Sequence, residues 1–202
     1  MTSRFAQLAF TPGVQAQQQA HGSDRAYRRM LEGPQAADRL GPDERWFIGE
    51  RESFYLGTVS ETGWPYIQHR GGPPGFLKVL DDATLGFADF RGNRQYISTG
   101  NLGHDPRVSL FLMDYARRSR LKILGRARAV EGDAGLLSEL TVPGYKATAE
   151  RAIVIDVEAY DWNCPQHIPA LYPVDAVRET ITQLHDRIAD LERENARLRA
   201  TA

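Results

Sequence analysis

The chain has 202 residues, of which 42% are apolar and 25% charged, a balance typical of a soluble globular protein with a sizeable core. Its 25 basic and 26 acidic residues give a net charge of −1, which excludes the strong positive field of a general nucleic-acid binder. The one cysteine, Cys164, excludes an intramolecular disulfide framework. No apolar run reaches the roughly 20 residues that span a bilayer. The first residues do not resemble a secretory signal, so we expect a cytoplasmic protein that binds no membrane.

Residues 1–50 are predicted to form a polar, mostly helical N-terminal extension. Asp24 is typical of a helix start, and the helix that follows is expected to end at Gly33-Pro34. A second helix is predicted from Pro42, with acidic residues in its first turn, where they favour the helix dipole.

Residues 51–170 change to a β pattern with short hairpins and two small helices. Strands and helices do not alternate as they do in βαβ units, so a dinucleotide-binding domain with a parallel sheet is not expected. We predict a mainly β fold with minor helices, a six-stranded antiparallel β-barrel that is closed or nearly closed. Seven segments are candidates for the six or so strands: residues 53–60, 65–70, 76–80, 84–90, 107–114, 120–130 and 151–160. The helices are residues 93–102 and 132–140.

Residues 172–202 carry an uninterrupted heptad repeat. Position a holds Val174, Ile181, Ile188 and Asn195, and position d holds Val177, Leu184, Leu191 and Leu198. β-Branched residues at a with leucine at d favour a parallel two-stranded coiled coil, and one Asn at a fixes its register. We therefore predict a C-terminal coiled-coil dimerisation helix. The alternative is a single amphipathic helix lying on the barrel.

A zipper of this kind also occurs in transcription factors, where a basic helix precedes it. Here residues 161–169 contain two prolines and hardly any positive charge, so no basic helix is expected. We interpret the zipper as a device that pairs subunits and predict no nucleic-acid partner.

Two segments have the chemistry of an anion site. Arg70 is followed by a Gly/Pro-rich loop, residues 71–75, in which backbone N–H groups can approach an anion closely. Asn93 and Arg94 lie between a predicted strand and a helix start, where free N–H groups favour phosphate. Each segment alone could equally be an ordinary loop or a solvated arginine, but a barrel can bring the two together.

Two further segments are weaker candidates. The basic turn at residues 115–120 is typical of a solvated charge run. Cys164 and His167 could ligate a metal, but a metal site needs three or four ligands and the sequence offers no second pair. We therefore predict no metal site.

Residues 50–131 resemble the pyridoxamine 5′-phosphate oxidase-like, FMN-binding split-barrel family, and within it a longer bacterial branch. The resemblance depends on the order and spacing of short segments rather than on one strict fingerprint. It includes the Gly-Gly-Pro-Pro-Gly loop and the helical N-terminal extension of that branch. The matching segments are residues 54–60, 63–65, 68–73, 85–89, 93–95, 101–108 and 124–127.

The resemblance implies a split β-barrel that forms a homodimer, with one FMN in each of two clefts between the subunits. By position, it implies the following cofactor-binding residues: His69, Arg70 and Gly71 beside the flavin and its ribityl chain; Phe87, Ala88 and Asp89 along the ring; Asn93 and Arg94 on the phosphate; Ser119 and Arg120 from the second subunit; and Trp162 over the cofactor, with Gln166 and His167 nearby.

One departure separates this chain from the vitamin B6 enzyme of that family. The enzyme ends in an Arg-Leu-x-Pro-like segment that handles its substrate, whereas this chain has residues 166–173 followed by the zipper. It also lacks the enzyme's cluster of basic and hydroxyl residues for the substrate phosphate. We therefore do not expect vitamin B6 synthesis.

The resemblance favours an FMN-dependent oxidoreductase. NADH, NADPH or a small organic molecule would donate electrons through the flavin to oxygen, peroxide or another acceptor. Flavin supplies the chemistry, so no catalytic side chain is predicted, although His69 and His167 are candidates for proton transfer. The alternatives are a non-enzymatic flavin-binding sensor or store, an F420-dependent reductase whose acidic cofactor tail would use Arg117 and Arg118, and a purely structural dimer.

Overall fold

The structure, a computed structural model, describes residues 1–162 and 166–200. The described chain divides into two compact units. The first comprises residues 1–114 and 119–162, and the second comprises residues 115–118 and 166–200. Nearly all of the regular structure, apart from one long C-terminal helix, belongs to the first unit.

Four helices form the N-terminal extension: α1 (Ser3–Ala9), α2 (Pro12–Ala20), α3 (Asp24–Leu31) and α4 (Pro42–Gly49). The first two begin at threonines whose hydroxyls accept a hydrogen bond from a backbone N–H of the first turn. At α4 the Glu44 carboxylate accepts the Gly41 N–H at 2.9 Å. Helix α1 was not predicted as a separate helix, although Thr2 supplies its N-cap.

The first unit contains seven strands, β1 (Ser53–Val59), β2 (Pro65–Gly71), β3 (Lys78–Val79), β4 (Thr84–Phe90), β5 (Arg107–Asp114), β6 (Ser119–Val130) and β7 (Ala149–Trp162), with helices α5 (Ile97–His104) and α6 (Ala134–Leu140). They form one antiparallel sheet in the order β2-β1-β5-β6-β7-β4-β3. The prediction of a mainly β antiparallel fold is confirmed. The predicted number of six strands is wrong, because the sheet has seven, and of the predicted closed or nearly closed barrel the closed form is wrong, because the sheet is not closed.

The sheet curls although its edges do not pair. Strands β2 and β3 follow each other along the chain, yet they lie at opposite edges of the sheet. Seven flat strands spaced about 4.8 Å apart would separate these edges by roughly 29 Å. The connection from Gly71 to Lys78 spans at most roughly 25 Å when fully extended. The sheet must therefore bend its two edges toward each other.

The apolar core lies on the inner face of this curled sheet. Its fully buried side chains include Phe54, Leu56, Leu110, Ile123 and Ile155. They occupy alternate positions on β1, β5, β6 and β7, as the two-residue period of a strand requires. The core therefore fixes which face of each strand turns inward.

A buried ion pair attaches the N-terminal extension to this core. The Arg51 guanidinium lies 2.9 Å from the Asp114 carboxylate. It also donates to the Phe47 carbonyl at 3.0 Å and to the Met113 carbonyl at 2.9 Å. Because both charged groups are buried and hydrogen-bonded, α4 is held against the end of β5.

The second unit contains α7 (Val174–Ala200), a helix of 27 residues. At about 1.5 Å per residue it is roughly 40 Å long. Among residues 1–162 and 166–200, no helix is both long enough and apolar enough to cross a membrane.

Candidate functional site

A cleft of about 260 Å³ lies on the first unit where β2, β4, β7 and the start of α5 meet. It contains Arg70, Asn93 and Arg94 from the two predicted anion-binding segments, but no residue of the Gly/Pro-rich loop 71–75 lines it. Its lining residues are Tyr66, Gln68, Arg70, Asp89, Phe90, Gly92, Asn93, Arg94, Gln95, Tyr96, Ile97, Ser98, Thr99 and Glu150. Four of the predicted cofactor-binding residues, Arg70, Asp89, Asn93 and Arg94, therefore lie together in one cleft.

Arg70 is fixed in this cleft by a carboxylate on the neighbouring layer of the curled sheet. Its Nη1 lies 2.6 Å from Asp89 Oδ1, and the two side chains are 14% and 9% exposed. Asp89 Oδ2 lies 3.7 Å from Nε of Arg151, which follows from the β4–β7 register that pairs these two residues. Asp89 thus holds two guanidinium groups at the floor of the cleft.

The hydrogen-bonding capacity of these arginines is only partly used. Nε of Arg70 and Nε of Arg151 are buried and have no hydrogen-bond partner in the part of the chain that the structure describes. The guanidinium of Arg70 lies 5.7 Å from the centre of the Phe87 ring, and that of Arg151 lies 5.0 Å from the Tyr96 ring. Buried donors without acceptors are costly, and they are typical of a site that expects an acceptor.

The loop from β4 to α5 has an unusual backbone. Arg94 and Tyr96 have φ angles of 60° and 54°, in the left-handed region of the backbone that residues other than glycine rarely adopt. Each such residue costs about 1–2 kcal/mol. The predicted helix start at residue 93 is wrong for this reason, and α5 begins at Ile97. Strain of this kind is concentrated at functional sites.

The same loop presents Arg94 to the cleft. Its Nε donates to the Tyr96 hydroxyl at 3.1 Å, and Asn93 Oδ1 accepts the Gln95 N–H at 3.3 Å. The hydrogen bond with Tyr96, and more weakly the charge of Glu150, raise the pKa of Arg94 above its usual value. Arg94 therefore remains a fixed positive charge at any ordinary pH.

The N-terminus of α5 forms another wall of the cleft. No side chain of the described residues caps this helix end. Ile97, Ser98 and Thr99 line the cleft, and the N–H groups of a first helical turn lack partners within the helix. Ser98 donates from its hydroxyl to Gln68 Oε1 at 2.6 Å, which joins α5 to β2. This wall favours a negatively charged ligand.

Positive charge exceeds negative charge around the cleft. Glu150 accepts from Arg91 at 2.8 Å and lies 3.3 Å from Arg151, and these contacts, chiefly the one with Arg91, lower its pKa. Arg151 is also 3.2 Å from the exposed carboxylate of Glu131. The groups in and behind the cleft are the guanidiniums of Arg70, Arg91, Arg94 and Arg151 and the carboxylates of Asp89, Glu131 and Glu150. The cleft can therefore bind a small dianion such as a phosphate monoester.

The structure places His69 and Gly71 away from this cleft. Residues of β2 alternate between the two faces of the sheet, so His69 turns to the face opposite Arg70. Its ring centre lies 5.7 Å from that of Tyr55, its cross-strand neighbour. Gly71 ends the strand, where a Cβ would lie 3.1 Å from the His69 ring.

Phe87 and Ala88 lie beneath the cleft rather than in its wall. Both are buried, Phe87 in the main core against Phe54 and Ala88 in a smaller cluster with Leu140 and Ala152. Strand β4 is covered on both faces, which explains why its apolar residues do not alternate with polar ones.

Ser119 and Arg120 begin β6, and neither lines the cleft. The Arg120 guanidinium lies 5.5 Å from the centre of the Phe111 ring, and its buried Nε has no hydrogen-bond partner among the described residues. Phe111 lines a groove of about 850 Å³ on the outer face of β1, β2, β5 and β6. This groove also contains exposed Tyr55 and Ile67. We name it the outer-face groove.

Trp162 packs against the N-terminal extension. Its indole N–H donates to Glu44 Oε1 at 2.6 Å, and its ring meets Phe47 edge to face at 4.8 Å between centroids. The Trp162 ring therefore has an apolar contact, and its N–H has a hydrogen-bond acceptor. Its predicted place over a cofactor stays a prediction.

The remaining predicted residues belong to the second unit or lie outside the described residues. Gln166 is exposed, and His167 has a left-handed backbone with a φ of 64°. Their predicted roles as cofactor ligands stay predictions. Cys164 lies outside the described residues, and within residues 1–162 and 166–200 no group of three His, Cys, Asp or Glu side chains could hold a metal ion.

The sequence reasoning did not assign a role to Ser98 and Glu150, which line the cleft, or to Arg151, which lies behind it against Asp89. Ser98 lies inside the predicted helix 93–102, but it comes in the first turn only because α5 begins at Ile97 rather than at residue 93. Glu150 and Arg151 belong to β7, about sixty residues after β4 in the sequence. No local pattern indicates that these two strands are neighbours.

Comparison with known families agrees with this fold. A family model described as pyridoxamine 5′-phosphate oxidase matches residues 41–176. Since this match covers more than half of the chain, the protein belongs to the pyridoxamine 5′-phosphate oxidase family. The family is one of flavin-binding oxidoreductases, and its members are typically dimers.

Of three similar solved structures, one has a TM-score above 0.5, and the two others are similar at lower scores. HupZ of Group A Streptococcus is 14% identical with a TM-score of 0.51, and the match covers 66% of this chain and 99% of that chain. General Stress Protein 26 from Bacillus anthracis is 16% identical with a TM-score of 0.46, covering 58% and 88%. An FMN-binding protein from Syntrophomonas wolfei is 14% identical with a TM-score of 0.44, covering 59% and 83%. These likenesses concern the fold alone. A search of curated proteins gives no match.

Proposed function

We propose that this protein is an FMN-dependent oxidoreductase that takes electrons from NADH, NADPH or a small organic donor and delivers them to oxygen, peroxide or another acceptor. The observation that carries the proposal is the convergence of Arg70, Arg94 and the uncapped N-terminus of α5 on one cleft. Membership of the family favours a flavin cofactor. The positively charged cleft favours a flavin that carries a phosphate group.

The residues of the cleft fit the phosphate of FMN. Arg94 and Arg70 offer charged donors, and the first turn of α5 offers backbone N–H groups in a fixed direction. The Nε atoms of Arg70 and Arg151 are buried without a hydrogen-bond partner among the described residues, and the two guanidiniums share Asp89 as their carboxylate. Asp89 keeps both guanidiniums in place before any ligand arrives, which reduces the entropy lost on binding.

The protein's own contribution to the reaction is then positioning and electrostatics. Bound FMN supplies the capacity to accept a hydride and to pass electrons on. The cleft anchors the phosphate end, and Ser98 with Gln68 fixes the junction between α5 and β2. His69 is exposed on the opposite face of β2, so in one subunit it does not share the cleft with Arg70.

We propose that the outer-face groove receives a second copy of the chain. The groove is large and mainly apolar, and exposed Ile67 and Tyr55 form its surface. Apolar patches of this kind are typical of protein interfaces. Arg120 contacts Phe111 of this groove, and the family resemblance implies that it reaches the partner's cofactor.

The test is FMN affinity in matched arginine variants. Arg94→Ala removes one charged donor to the phosphate, each worth about 1.5–3 kcal/mol, so the Kd for FMN should rise roughly tenfold to a hundredfold. The control is Arg39→Ala, which removes a surface arginine bound only to exposed Asp82. Its Kd should stay within about twofold of the parent. Equal affinity in both variants would refute the phosphate assignment.

The redox role has its own test, the anaerobic addition of NADH and NADPH to the FMN-loaded protein. Bleaching of the flavin absorption by either nucleotide would support the oxidoreductase and identify its donor. Tight FMN binding without reduction by any donor would favour the flavin sensor or store. Tighter binding of F420 than of FMN to the cofactor-free protein would favour the F420-dependent reductase.

A further inference from the structure

Within the second unit, helix α7 carries an apolar stripe along one face. Its seven apolar a and d side chains are between 43% and 64% exposed. They are Val174, Val177, Ile181, Leu184, Ile188, Leu191 and Leu198. A helix that packs on a globular domain normally buries a wider stripe, whereas a strict a/d stripe is the contact surface of a coiled coil.

The charges beside the stripe are complementary between two copies of the helix. In a parallel pair, position g of one helix meets the next e position of its partner. Arg187 would then meet Glu192 of the second copy, and Glu194 would meet Arg199. Arg187, Glu192 and Arg199 form no ion pair among the described residues, and Glu194 is only weakly paired, 3.8 Å from Arg197 of its own helix.

Asn195 determines the orientation of the pair. In an antiparallel coiled coil every a residue faces a d residue, and every d residue here is valine or leucine. Asn195 would then bury an amide without a partner, which costs about 1–3 kcal/mol. In a parallel pair in register, Asn195 faces Asn195 of the second copy, and the two amides can bond to each other. β-Branched residues at the other a positions favour two strands over three.

We propose that α7 pairs with α7 of a second copy as a parallel, in-register, two-stranded coiled coil, and that this copy is the one received by the outer-face groove. The second half of the proposal rests on the proposed sheet dimer. A parallel coil has its two-fold axis along its length, so both sheet units start from the same end and can share that axis in a closed dimer.

The coil then protects the cofactor site against dilution. Residues 163–173 connect each α7 to its sheet unit, so a paired α7 holds the two outer-face grooves at an effective concentration in the mM range. A cofactor site built between subunits would survive at protein concentrations far below the Kd of the groove contact alone.

The orientation is tested by disulfide trapping in the full-length chain with Cys164→Ser as background. Leu198→Cys lies at a d position near the end of α7, where a parallel in-register pair brings the two thiols together. Asp186→Cys, on the outer side of the same helix, is the control. Under mild oxidation we expect most of the Leu198→Cys chains to form a covalent pair and few of the Asp186→Cys chains. No covalent pair, or equal yields, would overturn the coil.

Sedimentation of the oxidised Leu198→Cys protein tests the shared partner. A mass of twice the chain mass of 22.7 kDa supports one closed dimer, whereas four times that mass overturns it. Leu191→Asp separates the two interfaces, because it places a charge in the stripe. We expect the Leu191→Asp protein to remain a dimer at high concentration and to dissociate at a concentration at least tenfold higher than the parent does. This result would support both contacts. A monomer at every concentration would refute the sheet dimer while leaving the trapping result intact.

Discussion

Asp89→Asn should destabilise the cofactor-free protein strongly, because it leaves two guanidinium groups without their shared carboxylate. The Arg70–Asp89 pair has its side chains 14% and 9% exposed, and Arg151 depends on the same carboxylate. Breaking a buried pair on one side costs about 3–5 kcal/mol. Since asparagine still offers one acceptor oxygen, we expect about 3 kcal/mol. With a urea m-value of roughly 2 kcal/mol/M, the unfolding midpoint should fall by about 1.5 M.

The matched control is Asp82→Asn, which breaks the Arg39–Asp82 pair at a similar separation of 3.0 Å. Those side chains are 64% and 56% exposed, so the loss should be about 0–1 kcal/mol. Urea unfolding followed by tryptophan fluorescence measures both variants. Inorganic phosphate should raise the midpoint more in Asp89→Asn than in the parent, because Arg70 then lacks its carboxylate. Equal losses of stability in the two variants would refute the reasoning.

Three further predictions concern other parts of the molecule. Burial, followed by the charges of Glu44 and Asp38, raises the pKa of Tyr160, so its contribution to stability is full below about pH 10 and is lost as pH rises through the folded-state pKa; Tyr160→Phe should therefore lose less stability than the parent in alkaline thermal unfolding. Gly125→Ala should cost about 1–3 kcal/mol in urea unfolding, because its Cβ would lie 2.6 Å from the Asp156 carbonyl oxygen at a register shift of β6, whereas Gly100→Ala, in open space within α5, should gain up to about 1 kcal/mol. Deleting residues 174–202 should leave FMN binding intact at high protein concentration and weaken the dimer on dilution in sedimentation; loss of the flavin at every concentration would show that α7 shapes the site.

Local patterns in the sequence predicted the strands well where both period and turns were clear. The predicted ranges 84–90 and 107–114 match β4 and β5. The predicted strand 76–80 shrinks to Lys78–Val79, because Phe76 and Leu77 are drawn into the core. Local alternation therefore identifies a strand but does not determine how much of it pairs.

Non-local pairing explains what the sequence could not predict. The strand order places β4 beside β7, and this register alone brings Arg151 to Asp89. The left-handed backbone at Arg94 and Tyr96 also has no sequence signal, because such conformations usually belong to glycine or asparagine. The sequence therefore predicted the two arginine segments of the candidate site separately. It did not predict the β4–β7 pairing or the loop backbone that complete the site.

The strand order also determines when the cleft can form during synthesis. The β1–β2 hairpin can pair as soon as it leaves the ribosome, but β4 finds its neighbour only when β7 emerges, since Thr84 pairs with Asp156. Until then one edge of β4 is an unprotected hydrogen-bonding edge next to an apolar face. The nascent chain therefore passes through a long interval in which no ligand can stabilise it, and chaperone contact is most needed there.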